Sequence, residues 1–168
     1  MKLIFSILSS VLLFGQSYSQ NSEFSYEGVS VKWENDWEMS EQDPMDGDGY
    51  YLALEKTGED ESGLVAITWI NVDLEESAFL AIFQEQFYSS FNNQAEINFS
   101  EFYETKFAEI NALATDFEFD LFGLHHRGTI YTFRLNGKSF GILKQEATED
   151  AAKNAAGFKK IENNFKVI

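Results

Sequence analysis

From Val29 the chain alternates, with Val29, Val31 and Trp33 apolar and Ser30, Lys32 and Glu34 polar. That is the period of a strand with one buried face. Asn35-Asp36-Trp37 ends it. The polar stretch Glu38–Gly49 carries the sole proline, Pro44, and the run Asp46-Gly47-Asp48-Gly49, and it predicts a loop or a pair of turns. A strand is predicted over Tyr50–Glu55, a turn over Thr57–Gly63 and a further strand over Leu64–Val72. The last is apolar at nearly every position, which places it centrally in a sheet with helices on at least one side. Phe79, Phe83, Phe87 and Phe91 then recur every fourth residue, joined by Leu80 and Ile82. This predicts an amphipathic helix with Asp73 as N-cap, Glu76 three residues in, and an end near Asn92-Asn93. A phenylalanine stripe at helical spacing is read as core rather than as a ligand-stacking surface.

The stretch Ile97–Ile110 has no clear period. Beyond it Leu113, Thr115, Phe117, Phe119 and Leu121 face one way, while Ala114, Asp116, Glu118 and Asp120 face the other. One side is core and the other an acidic ladder. Thr129–Leu135 and Lys138–Leu143 predict two strands joined by Asn136-Gly137, the pair that best tolerates the positive φ angles of a type I′ turn. Thr148 is the predicted cap of a closing helix, with Glu149 and Asp150 in its first turn, and Phe158, Ile161 and Phe165 as its apolar face. Gly157 is a place where that helix could break. Strands, a long helix, antiparallel strands and a closing helix make an α+β fold: an antiparallel β-sheet flanked by helices.

Residues 1–19 predict a secretory signal peptide. Lys2 supplies the positive end, Leu3–Phe14 is a 12-residue apolar run, and Ser17 and Ser19 suit signal-peptidase cleavage before Gln20. The run is shorter than the ~20 residues that span a bilayer. Residues 20–168 then form a single α+β domain, periplasmic or secreted, with no membrane insertion after cleavage. With 12 Lys+Arg against 28 Asp+Glu, the net charge of −16 opposes binding to nucleic acid and to anionic lipid surfaces. The chain has no Cys, so disulfides, thiol chemistry and a lipid-modified cysteine anchor are excluded. Its 17 Phe, 7 Tyr and 3 Trp supply the core instead.

Candidate chemistry is sparse. Asp43, Asp46 and Asp48 crowd one loop and offer hard oxygen ligands, but an EF-hand frame starting at Asp46 puts Tyr50 at position five and Thr57 at position twelve, so the closing glutamate is missing. Asp116, Glu118 and Asp120 would project from one strand face about 6.5–7 Å apart, near enough to share a cation and otherwise a solvated face. His125 and His126 are adjacent, and adjacent strand residues point to opposite faces, so a shared metal would need a turn. No Gly-x-Ser-x-Gly elbow and no phosphate-cradling glycine loop occurs. Trp33, Trp37, Tyr50-Tyr51 and Phe102-Tyr103 are candidates for a ligand groove or for further packing. No catalytic, cofactor-binding or metal residue is assigned.

Four segments carry a resemblance: VSVKWENDW (29–37), LVAITWINVDLEESAFLAIF (64–83), TIYTFRLNGKSFGIL (129–143) and GFKKIENNF (157–165). In this order they resemble the Mog1/PsbP-like superfamily, which implies a three-layer α/β/α sandwich. The sequence departs from that pattern at Asn35-Asp36, where a proline and glycine usually precede the tryptophan, and at Asn164, where a serine is usual. Photosystem members help retain inorganic ions and Mog1 proteins bind a small GTPase, yet no residue here matches either task. A helix-grip lipid-binding fold is the structural alternative. The expectation for function is an exported non-enzymatic binding or accessory protein whose protein or small-molecule ligand is unknown, acting through a sheet face or a groove beside Trp37. The alternative is a small hydrolytic enzyme using surface carboxylates or His125/His126.

Overall fold

Period-two alternation commits a segment to a strand, but pairing decides which of its faces is buried. The computed structural model describes residues 22–58, 62–91 and 95–168. The predicted signal peptide and cleavage site lie outside the described residues, as do Asn92-Asn93 and residues 59–61 of the predicted turn. The strands are β1 (Glu23–Tyr26), β2 (Val29–Lys32), β3 (Trp37–Asp43), β4 (Gly49–Lys56), β5 (Leu64–Ile70), β6 (Asn98–Phe99), β7 (Tyr103–Phe107), β8 (Ile110–Leu121), β9 (Leu124–Leu135), β10 (Lys138–Ala147) and β11 (Lys166–Val167). The helices are α1 (Glu76–Ser90) and α2 (Ala151–Asn164).

The large sheet runs β3-β4-β5-β10-β9-β8-β6, with β7 also paired to β8, and every pairing in it is antiparallel. A small sheet, β1-β2-β11, sits apart from it. As its apolar run predicts, β5 is central, and Val65–Trp69 are all buried between β4 and β10.

Each face of the large sheet carries its own core. On one, Leu80 and Phe87 of α1 pack over Phe117, Phe119, Ile130 and Leu143. Phe87 lies 4.5 Å from Phe117, ring centre to ring centre. On the other, Trp69, Phe133, Phe140 and Ile142 lie beneath Val29 and Val31 of the small sheet and Ile161 and Phe165 at the end of α2. This is the expected three-layer arrangement. The small sheet shares one outer layer with α2.

Four local expectations are corrected. Glu38–Asp43 is strand β3 rather than loop, followed by a 3₁₀ turn at Met45–Gly47. It is an edge strand bonded only to β4 with a register shift between Met39 and Glu41, so its polar outer side needs no cover. The cap of α1 is Glu75, whose side chain accepts from Ala78 N at 3.0 Å, while Asp73 pairs with Arg134 at 3.5 Å. Thr148 makes no side-chain cap; residues 148–150 form a 3₁₀ turn, and Asp150 turns inward. Ala114, assigned to the polar side of β8, is fully buried because the second core covers that end of the sheet.

Gly157 leaves α2 unbroken. A Cβ there would sit 2.0 Å from Trp37 Nε1, so glycine is what admits the indole between β3 and the helix. Phe158 completes the contact, 5.2 Å from Trp37.

Candidate functional site

The second core does not extend over the whole sheet face. The cover ends where Ala112 and Ala114 give way along β8 to Asp116, Glu118 and Asp120, all exposed. Two hairpins then fix their neighbours. Leu121↔Leu124 closes β8 on β9 and Leu135↔Lys138 closes β9 on β10. These registers set Asp116 beside Thr129 and Lys144 in one row, and Glu118 beside Arg127 and Glu146 in the next. With Asn98 of β6 at one rim and Phe158 of α2 at the other, the rows floor an open groove of about 700 Å³.

Most of its polar groups are already engaged. Asp116 Oδ1 accepts from Tyr103 Oη at 2.8 Å and from Thr129 Oγ1 at 2.7 Å. Burial and that bond to Asp116 both push the Tyr103 phenol above its ordinary range. Glu146 Oε1 accepts from Arg127 Nε and Nη2 at 3.2 and 3.0 Å, and its Oε2 from Asn154 Nδ2 at 3.3 Å. Lys144 Nζ donates to Glu162 at 3.2 Å and lies 5.5 Å from the Phe158 ring centre. What faces the groove with capacity to spare is the pair Glu118 and Arg127. Their side chains are 59% and 53% exposed, and they sit directly opposite in the register. Two N–H groups of Arg127 serve Glu146, and a guanidinium has five.

A buried network stands behind this row. Ser62 N and Oγ both donate to Asp150 Oδ2 at 2.9 Å, and Ala147 N donates to Ser62 Oγ at 2.7 Å. Asn154, fully buried, bonds Ser62 O as well as Glu146. Lys153 at 2.9 Å and the Ser62 bonds hold the Asp150 carboxyl below its usual range. The network locks the start of α2 to β10 and so fixes Glu146 and, through it, Arg127.

The histidines separate as strand geometry requires. His125 stays on the carboxylate face, its Nδ1 2.9 Å from Asp120 Oδ1 and its Nε2 3.8 Å from Glu118. His126 points to the α1 side and stacks on Phe119 at 5.0 Å. Burial first, and His125 second, hold His126 below the ordinary histidine pKa. Asp43 Oδ1 accepts from Met45 N at 2.9 Å, an ordinary turn bond, and Asp46 and Asp48 remain exposed. Among the described residues, no three His, Asp or Glu side chains come together to hold a metal ion. Trp33, Trp37, Tyr50 and Tyr51 are buried core, so the groove lies beside Phe158 and not against Trp37.

No protein-family model matches the chain, and no curated protein matches it by sequence. Solved structures do match its shape. The solution structure of a cyanobacterial PsbP, CyanoP from Synechocystis, superposes with a TM-score of 0.57 at 11% identity, over 94% of this chain and 99% of that one. The chain has the PsbP/Mog1-like fold. LpqN of Mycobacterium tuberculosis, described as involved in cell envelope biogenesis, matches at 0.55 and 8% identity over 83% and 82% of the two chains. A crystal structure from Bacteroides thetaiotaomicron matches at 0.55 and 16% identity over 89% of this chain; the chain spans about half of that neighbour's length, 49%. At these identities the likeness is one of fold, and the groove residues are read from this chain alone.

Arg127, Lys144 and Glu146 escaped the sequence reading. The signal was present: counting back along both hairpins from their two-residue turns pairs Glu118 with Arg127 and Arg127 with Glu146.

Proposed function

We propose that this chain is an exported, non-enzymatic accessory protein that binds a polar ligand in the groove over β8–β10. The observation that carries the reading is the opposed pair Glu118 and Arg127 on an uncovered sheet face. A ligand crossing this pair meets an acceptor and a donor side by side, with Asn98 of β6 on one side and Phe158 of α2 on the other. That suits a molecule presenting both hydrogen-bond donors and acceptors, such as a peptide or a glycan. Against hydrolysis stands the state of Asp116 and Glu146, each held by two structural partners and thus poorly placed to move a proton. Export is supported by the apolar leader at residues 3–14 and by the envelope role stated for LpqN, which shares the fold.

A thermal-shift screen of short peptides, glycans and simple salts tests the reading, since a ligand of the native state raises Tm. The expected result is a shift with one class of polar ligand that Arg127→Ala and Glu118→Gln each remove. A shift retained in both variants, or none with any ligand, overturns it. Export is tested by N-terminal sequencing of protein recovered outside the cytoplasm, which should begin at Gln20.

A further inference from the structure

The β8–β9 hairpin projects past the groove and ends in a turn whose first residue is Phe122, 92% exposed. Phe122 and Gly123 have φ of 52° and 83°, the two positive values of a type I′ turn. Asparagine, aspartate or glycine suits the first of these positions; a bulky aromatic there is a strained choice. Fully solvated, the ring returns no burial energy to this chain to offset the strain. Leu124 beside it is also exposed, at 36%. Nine consecutive pairs, from Leu113↔Thr132 to Leu121↔Leu124, run without a register shift up to the tip. A costly backbone position occupied by an exposed apolar ring is the mark of a contact made elsewhere.

The charge around the tip says what kind of contact. Asp120, 82% exposed, and Glu118 behind it form an acidic collar on one face. His125 lies between them on the same face, its Nδ1 2.9 Å from Asp120 and its Nε2 3.8 Å from Glu118, while Arg127 in the next row is bonded to Glu146. An acidic collar repels anionic lipid headgroups, and a second copy of a chain with net charge −16 brings the same collar. We propose that the Phe122 tip is a docking knob for a protein partner that offers an apolar pocket rimmed by Lys or Arg. It inserts as an anchor, with the collar setting orientation and approach. This inference goes beyond the groove and does not depend on its ligand.

The test places a photo-crosslinking phenylalanine analogue at position 122 of the full chain in its native host, with position 136 of the β9–β10 turn as control. The expected result is one discrete product from position 122 and none of it from position 136. Mass spectrometry should map the attached peptide to apolar residues beside Lys or Arg, and the yield should fall severalfold as salt is raised. In parallel, Phe122→Asn should keep a folded protein yet lose the associated partner on size-exclusion chromatography. Crosslinks only to lipid or to a second copy, no product, the same products from both positions, or an attached peptide without basic residues overturn the proposal.

Discussion

Two hairpin turns flank β9, and they share a backbone but not a purpose. Asn136-Gly137 and Phe122-Gly123 are both two-residue loops with positive φ at each position, 54° and 76° against 52° and 83°. In the first, asparagine is at home in the left-handed region, and the turn helps set the register of β9 on β10. In the second, the same geometry is imposed on a phenylalanine that packs on nothing. Register there comes from the strands: Phe117 and Phe119 anchor β8 under α1. One turn serves the fold, whereas the other is carried by it.

That difference is open to direct attack. The largest effect should come from Gly128→Ala in β9. A Cβ there would lie 2.1 Å from Lys144 O and 2.4 Å from the Phe117 ring, so the tip-side hairpin would lose its seat on both α1 and β10. A loss of about 3 kcal/mol is expected by urea unfolding; an unchanged midpoint would show that the strands near the tip contribute little. Next, Asn136→Phe should impose on the fold-serving turn the strain that Phe122 bears, lowering stability by about 1–2 kcal/mol. Phe122→Asn, its mirror, should raise stability by about 1 kcal/mol. Equal and negligible changes at both turns would erase the distinction between them.

The smallest effect expected is in pH dependence. His126, next to the tip, has its pKa depressed in the folded state, mainly by burial. The unfolded chain therefore takes up the proton first as pH falls. The stability this residue contributes is present above the unfolded value of about 6.5 and is lost below it, down to the folded pKa. Thermal melts between pH 8 and 5 should show a flatter profile for His126→Phe than for the unsubstituted chain. A parallel profile would assign the slope to other groups.

Much of this was legible in the chain itself, where local pattern and local cause coincide. The Asn136-Gly137 hairpin and the Phe79/Phe87 face of α1 stand as their spacing predicts, and the central strand predicted over Leu64–Val72 is present over Leu64–Ile70. The edge strand Trp37–Asp43 was missed because a strand with one partner needs no apolar alternation on its outer side. Glu75 rather than Asp73 caps α1, and Asp73 instead pairs with Arg134 from far along the sequence. The site was half legible. Asp116 and Glu118 were picked out by alternation, whereas Arg127 and Lys144, which share their rows, lie on β9 and β10 and are brought alongside only by long-range pairing.

Taken alone, the sequence determined the composition of each element: which residues alternate, where a turn can take positive φ, and how much aromatic surface there is to bury. It fixed these because they follow from the conformational preferences and solvation of neighbouring residues. Tertiary structure alone decided that the sheet would be covered on both faces at one end and left open at the other. Ala114 and Asp116 share a strand and a face; one is sealed and the other floors a groove, because cover depends on where α2 and the small sheet stop. No residue within reach of either carries that information.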